Sequence, residues 1–232
     1  MLDVAIVGGG PGGLSAARRL AAGGWATTVF EEHNELGAPV HCTGVLAEDV
    51  VEAMDLPPGS VLNPLSTVRF VAPAGHSFDY STTTTEAVVI DRLVFDAALA
   101  RQAEAAGATL VTNRRVVSID PTERGVQLTF SGECPPVRAR AVILACGANY
   151  AFQKRLGMGM PSTFLQSAQL ELPAARLGDV EIHFGSEIAP KGFAWAVPVK
   201  RASGTFARIG VMAERDANDY FLRMLDRVRD RW

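Results

Sequence analysis

Cysteine is scarce in this chain. The three present, Cys42, Cys134 and Cys146, form an odd, scattered set without a CxxC pair. That argues against a disulfide framework and against a thiol-based zinc site, so no metal is expected, and it fits a reduced, cytoplasmic protein. Excess charge is missing as well. Lys and Arg number 22 against 25 Asp and Glu, a net charge of −3, so the electrostatic footprint of a nucleic-acid binder is absent. No apolar run approaches the roughly 18 residues of a membrane span; the best candidate, 141–145, is strand-sized. The first residues, Met1-Leu2-Asp3-Val4-Ala5-Ile6-Val7, enter an apolar strand at once, without the basic start or cleavage-like site of a signal peptide. Internal repeats and low-complexity segments are also lacking. What remains is 232 residues, 48% of them hydrophobic, enough to bury a sizeable core in one large domain or two small ones.

The opening pattern is strand, glycine turn, helix, strand. Residues 3–7 read as a fully buried parallel strand, and 11–22 as a helix with Leu14, Ala17, Leu20 and Ala21 on one face. Gly23-Gly24 stops that helix, and 26–30 is a second β-rich run. A Gly/Pro loop at 37–44 precedes a short helix expected over 46–54. Two runs, 67–72 and 76–81, flank Pro73-Ala74-Gly75 and predict a hairpin outside the parallel sheet. Strand 87–90 leads to Asp91, a candidate N-cap for a helix to about Ala106, closed by Gly107. Strand-like runs follow at 108–112, 114–119, 125–130 and 141–145. From residue 163 the pattern becomes alternating strands at 163–172, 180–184, 193–199 and 205–211. An amphipathic helix over 219–232 places Phe221, Leu225, Val228 and Trp232 on one side and an Arg223, Arg227, Arg231 row on the wet side. The expected fold is α/β: a Rossmann-like dinucleotide-binding domain with an antiparallel-sheet domain after it.

Gly8, Gly10 and Gly13 form a G-x-G-x-x-G in Val7-Gly8-Gly9-Gly10-Pro11-Gly12-Gly13. Gly8 permits the sharp turn out of the strand. Gly10 leaves room for a pyrophosphate against backbone, and Gly13 lets the helix sit close to the sheet. The helix start, with Pro11 and Gly12, offers unpaired N–H groups to phosphate. Glu31 ends the second strand, where a carboxylate can accept bonds from ribose hydroxyls and disfavours a 2′-phosphate. Glu32 reads as its solvated neighbour. The pattern alone does not separate FAD from NAD.

The next residues do. Glu35-Leu36-Gly37-Ala38-Pro39-Val40-His41-Cys42-Thr43-Gly44 resembles the segment that passes under the flavin in the geranylgeranyl reductase family, a branch of the p-hydroxybenzoate hydroxylase-like flavoproteins. Asp91-Arg92-Leu93-Val94-Phe95-Asp96 is similar to the helix whose arginine approaches FAD. Arg114, Val116 and Val117 lie where the family presents backbone to adenine. Ala141-Val142-Ile143-Leu144-Ala145-Cys146-Gly147-Ala148 is similar to a second flavin-side motif, with Cys146 where related hydroxylases have Asp. Phe184-Gly185 and the run Ala189-Pro190-Lys191-Gly192-Phe193-Ala194-Trp195-Ala196-Val197-Pro198 resemble the family's aromatic-W-x-x-P motif, although the glycine pair expected later is reduced to Gly210 before Val211 and Met212.

The resemblance implies FAD held by Gly8, Gly10, Pro11, Gly12, Gly13, Glu31, His41, Cys42, Gly44, Arg92 and Val116. It implies Cys42 as the residue at the isoalloxazine ring, tuning it or delivering a proton, with a passive small side chain as the plainer reading. Arg92 has a local ion pair as its plainer reading. Phe193, Trp195 and Pro198 become an apolar wall for a long isoprenoid chain, with plain core as the alternative. His183 reads as a strand surface residue and Cys146 as packing. The implied domains are 1–160 for FAD, interrupted by the hairpin at about 63–84, and 161–232 as a partial substrate domain. The implied activity is ene-reduction of a geranylgeranyl chain. With no second G-x-G-x-x-G, NAD(P)H visits transiently or a ferredoxin-like donor supplies electrons. An isoprenoid lipid substrate implies a possible peripheral contact with membranes and none with nucleic acid. The alternatives are an FAD-dependent aromatic or polyketide monooxygenase and a non-catalytic flavin-binding fragment. The family's third flavin motif, a Gly-Asp before small residues, is not matched by Gly178-Asp179, which precedes the strand-like Val180-Glu181-Ile182. Trp232 on the packing face of the last helix points to a further surface. The chain is therefore expected to be incomplete at its C-terminal side and, alone, to hold FAD weakly.

Overall fold

The computed structural model describes residues 1–40 and 42–232; His41 lies outside the described residues. In chain order the elements are β1 (Leu2–Val7), α1 (Pro11–Ala22), β2 (Thr27–Phe30), β3 (Val45–Ala47), α2 (Glu48–Ala53), a 3-10 turn (Pro58–Ser60), β4 (Val61–Leu65), β5 (Thr67–Val71) and β6 (Ser77–Ser81). Next come β7 (Ala87–Ile90), α3 (Arg92–Ala105), β8 (Thr109–Val111), β9 (Val116–Thr122), β10 (Gly125–Phe130), β11 (Val137–Leu144) and α4 (Ala151–Arg155). The last are β12 (Gln166–Pro173), β13 (Val180–His183), β14 (Phe193–Arg201), β15 (Gly204–Ala213) and α5 (Ala217–Val228). They fall into two compact units, Met1–Val40 with Arg92–Pro161, and His41–Asp91 with Ser162–Trp232.

The first unit is built on a six-stranded sheet in the order β8-β2-β1-β11-β10-β9. The first four strands run parallel, and β10 pairs antiparallel with both β11 and β9. β1 is central, which is why Ala5 and Ile6 are fully buried and the strand reads as an unbroken apolar run. Alternate residues face opposite sides. Ile6 joins Ala17 of α1 and Ala103 of α3 in one core, while Ala5 and Val7 join Phe30, Leu128 and Phe130 in another. Phe30 and Phe130 meet with ring centroids 4.9 Å apart.

The second unit is centred on a sheet ordered β12-β15-β14-β13-β5-β6. Neighbours are antiparallel except β13 and β5, which are parallel. The expected hairpin is β5–β6, and it forms one edge of this sheet. A small sheet, β3-β7-β4, belongs to the same unit, so the segment apportioned here is 41–91, wider than a hairpin alone. One face of the large sheet is covered by α5, whose Phe221, Met224 and Val228 pack on Ala194, Ala196, Ile209 and Val211. The other face carries Trp195, Val197 and Val199 against Leu65 of β4 and Val89 of β7.

The α/β reading, a Rossmann-like domain with a largely antiparallel second sheet, is the observed architecture. Several local expectations are corrected. The helix expected over 46–54 begins as strand β3, because residues 45–47 pair with β7, and only six helical residues follow. His183 is not a surface residue. It is fully buried, because its side of β13 is covered within the unit, and its Nε2 lies 2.9 Å from Glu181 Oε2. Arg231 is not part of a solvated helical row. α5 ends at Val228, and Arg231 donates to Glu181 Oε2 at 2.8 Å. Trp232 packs inside its own unit, where a Cβ at Gly178 would come within 3.0 Å of its indole ring.

The seating of α5 makes one prediction. Met224 is fully buried between helix and sheet. Met224→Ala should cost about 2–5 kcal/mol of stability, read by urea unfolding followed by circular dichroism.

Candidate functional site

Three glycines do three different jobs in the turn from β1 to α1. Gly8 sits at φ +111, and a Cβ there would lie 2.3 Å from the Ala145 carbonyl oxygen. A Cβ on Gly13 would lie 2.1 Å from the Gly8 carbonyl oxygen, so helix and strand meet backbone to backbone. A Cβ on Gly10 or Gly12 would meet nothing within 4 Å. Gly10 is the N-cap of α1, and Pro11 follows in the first turn, where its missing N–H costs nothing. Gly8 and Gly13 are thus glycine for packing, whereas Gly10 is glycine facing open space at a helix N-terminus, where an anion is favoured.

Glu31 ties the turn to β2. Its Oε2 accepts the Gly9 N–H at 2.6 Å and its Oε1 accepts the His33 N–H at 2.9 Å, with His33 Nδ1 2.6 Å from Oε1. Burial raises the Glu31 carboxyl, but the bonds from the His33 and Gly9 amides and the His33 ring outweigh it and hold the group below its ordinary value. A carboxylate offers about four acceptor positions, so part of its capacity remains for ribose. The sequence indicated the ribose role but not the clamp on Gly9. Glu32 is the exposed neighbour expected, pairing with Arg115 at 3.4 Å.

Arg92 opens α3 and pairs with Asp96 one turn on, Nη2 to Oδ2 at 2.9 Å. Asp96 is almost fully buried, and burial raises its carboxyl even against Arg92. A Cβ on Gly37 would touch Asp96 Oδ2 at 2.8 Å, so the pair supports the Gly37 loop. Asp96 was missed from sequence, although its i,i+4 spacing from Arg92 was legible. Val116 puts its side chain in the core, leaving only backbone for a nucleotide. Cys146 stacks its sulfur 3.5 Å from the Val7 carbonyl, and burial with Glu32 and Glu31 nearby pushes its thiol pKa up, as packing rather than nucleophilic behaviour requires.

The second unit holds Cys42, Gly44 and the proposed wall. Cys42 is exposed, and its sulfur accepts the Gly44 N–H at 3.3 Å. Gly44, at φ +70, lies where a Cβ would come within 2.6 Å of Arg208 Nη1. Phe193 and Trp195 share a sheet face, with ring centroids 5.6 Å apart. Pro198 falls on the opposite face by strand alternation, so the three expected wall residues are not brought together. Trp195 is itself mostly core at 6% exposure, its indole N–H donating to Gln169 Oε1 at 3.2 Å. A Cβ on Gly210 would lie 2.3 Å from Trp195 Cζ2, so the glycine inside β15 makes room for that indole.

Residues 2–168 match the family model for pyridine nucleotide-disulphide oxidoreductases. The chain belongs to that family. This oxidoreductase is 31% identical over 211 residues to a digeranylgeranylglycerophospholipid reductase of Methanosphaerula palustris, covering 84% of the chain and 52% of the relative. A reductase of the same name from Methanoculleus marisnigri is 28% identical over 239 residues, covering 96% of the chain and 60% of the relative. The oxidoreductase thus spans a little over half the length of these relatives, and the resemblance read from its motifs is borne out. Its fold matches a geranylgeranyl bacteriochlorophyll reductase-like protein of Thermoplasma acidophilum, with a TM-score of 0.86 at 24% identity, covering 97% of the chain and 62% of that structure. It also matches the halogenase PltM, solved with phloroglucinol and FAD, at a TM-score of 0.74 and 17% identity, covering 97% and 55%. Among the described residues no helix is long and apolar enough to cross a membrane.

Two predictions follow from the oxidoreductase's glycine turn and its clamp. Gly10→Val should leave the fold intact, because the added atoms enter open space, yet abolish dinucleotide binding, whereas Gly13→Val should unfold the unit; circular dichroism and equilibrium dialysis separate the two. The Glu31 carboxyl lies below its unfolded value near 4.5. Its contribution is therefore complete above that value and lost as pH falls through the lower folded value. Glu31→Gln should remove this part of the acid sensitivity, read as a flatter acid-unfolding curve.

Proposed function

We propose that this oxidoreductase uses FAD to saturate double bonds in the isoprenoid chains of a lipid. The observation that carries FAD binding is Gly10, the one of the three G-x-G-x-x-G glycines where nothing in the protein would obstruct a side chain. Glu31 fits the same ligand, since it can accept from a ribose while disfavouring a 2′-phosphate. Bound and reduced, the flavin would supply a hydride to one carbon of an isoprenoid double bond, the adjacent carbon taking a proton.

The chain's own residues bind and orient. The α1 N-terminus, with the Gly10, Gly12 and Gly13 amides, cradles the pyrophosphate, and Glu31 holds the ribose. Arg92, His41, Val116 and Gly44 contribute to the cofactor's surroundings as the resemblance implies, Arg92 while paired with Asp96. Cys42, exposed and in no disulfide, is the candidate for holding a proton at its sulfur beside the substrate. Phe193, on the same face as Trp195, offers apolar surface to an isoprenoid chain, and Pro198 supports it from the strand's other side. The electron donor is a transient NAD(P)H or a ferredoxin-like protein. The name shared by the reductase relatives supports the isoprenoid substrate, and a lipid substrate calls for peripheral contact with a membrane surface.

The decisive experiment gives the FAD-reconstituted protein, and a form extended to the length of its relatives, dithionite and geranylgeranyl lipids without oxygen. The expected result is products heavier in steps of two hydrogens, with the shorter form turning over more slowly. Oxygen-dependent substrate hydroxylation in place of that mass gain would favour a monooxygenase on this fold, and failure to retain FAD would overturn the cofactor assignment.

A further inference from the structure

Arg208 is a buried cation in the middle of a sheet, 2% exposed. Such a charge persists only when it is fully engaged. Its Nε donates to Glu171 Oε2 at 2.8 Å, and its Nη1 donates to the carbonyls of Thr43 at 2.5 Å and Ile90 at 3.2 Å. Arg201 binds the same carboxylate from the other side, Nε to Oε1 at 2.5 Å and Nη2 to Oε2 at 3.0 Å, and reaches Asp91 Oδ2 at 2.7 Å. Two guanidiniums thus face two carboxylates, and the cluster is neutral. Burial alone would raise the Glu171 carboxyl, but Arg201 and Arg208 outweigh it and hold the group ionised.

The target of this arrangement is a loop. The Thr43 carbonyl is held by Arg208, and the Thr43 hydroxyl donates to Gln169 Oε1 at 2.7 Å. The Gly44 carbonyl accepts the Ile90 N–H at 2.7 Å. The left-handed backbone of Gly44 and its missing Cβ allow the guanidinium to approach this closely. Gln169 Oε1 also accepts the Trp195 indole N–H. In register, Trp195, Gly210 and Gln169 form one row across β14, β15 and β12, and Val197, Arg208 and Glu171 form the next. One amide oxygen therefore joins the loop that carries Cys42 to the strand that carries Phe193 and Trp195.

We propose that Gln169 and Arg208 are positioning residues that fix the 42–44 loop from the sheet side and couple its placement to Trp195. The proposal rests on the reading that this loop serves the flavin. Neither residue needs to touch cofactor or substrate. Arg208 sets the height of the loop by its bond to the Thr43 carbonyl. Gln169 sets its lateral position through the Thr43 hydroxyl, and any shift of the Trp195 indole is transmitted to Thr43 through the shared acceptor.

The test uses the 232-residue protein and reads Cys42 directly, by the rate of iodoacetamide alkylation resolved by mass spectrometry at each cysteine, with and without FAD. In the FAD-loaded protein, where the bound cofactor covers the thiol, losing one such hydrogen bond should raise Cys42 alkylation in Thr43→Val and in Gln169→Leu by about fivefold. The double variant should show less than the product of the two, because both remove one bond. Thr43→Ser, which keeps the hydroxyl, should restore the parent rate. In the FAD-loaded protein the visible flavin band should shift in Thr43→Val and Gln169→Leu and return in Thr43→Ser. Arg208→Lys should behave like Gln169→Leu if it folds; because removal of a buried guanidinium can cost the fold, the Thr43 and Gln169 variants carry the test. Folded Thr43→Val and Gln169→Leu proteins with parent alkylation rates and a parent flavin spectrum would overturn the proposal. If FAD does not slow Cys42 alkylation in the parent while the variants still raise it, the positioning role is supported and the flavin reading of the loop is overturned.

Discussion

The backbone contact between Gly13 and the Gly8 carbonyl is the constraint on which the first unit depends. It brings α1 against β1 without side chains between them. That closeness lets Ile6, Ala17 and Ala103 form one small-residue core, with alanines where larger side chains would push the layers apart. It also aims the start of α1 along the end of β1, leaving the Gly10 position open. Glu31 then locks the turn by taking the Gly9 amide. The candidate site is therefore a by-product of this close helix-to-strand packing.

The second unit obeys a different rule. Its central sheet is covered by α5 on one face and meets β4 and β7 on the other. A polar cluster persists on that second face only because charges cancel within it. Arg208, Arg201, Glu171 and Asp91 satisfy one another and two backbone carbonyls, so the burial penalty is met by hydrogen bonds in several directions. Asn63 works similarly, its amide bonding both the Pro198 carbonyl and the Lys200 N–H to join β4 to β14.

What was legible in the sequence was local. Gly8, Gly10, Gly13 and Glu31 could be read because they stand at set places in one continuous strand–turn–helix–strand segment. α1 was legible to its last residue, through its apolar spacing and the Gly23-Gly24 stop. Features set by distant partners were not. His183 looked like a surface residue because the residues that cover it come from elsewhere in the chain. Thr43 and Gln169 are 126 positions apart, and Thr43 and Arg208 are 165 apart, so no periodicity joins them. The start of the expected 46–54 helix became strand because β7 offered it hydrogen bonds that an isolated segment lacks.

The indole of Trp195 lies across β15 where Gly210 has no side chain. This makes the two positions unequal partners in sequence change. Trp195 can give way to a smaller residue while Gly210 stays, leaving only a gap, but Gly210 cannot gain a side chain while the tryptophan remains. Any lineage that exchanged this pair for another had to pass through the cavity-bearing form first, so the route between two well-packed versions of this sheet runs in one order.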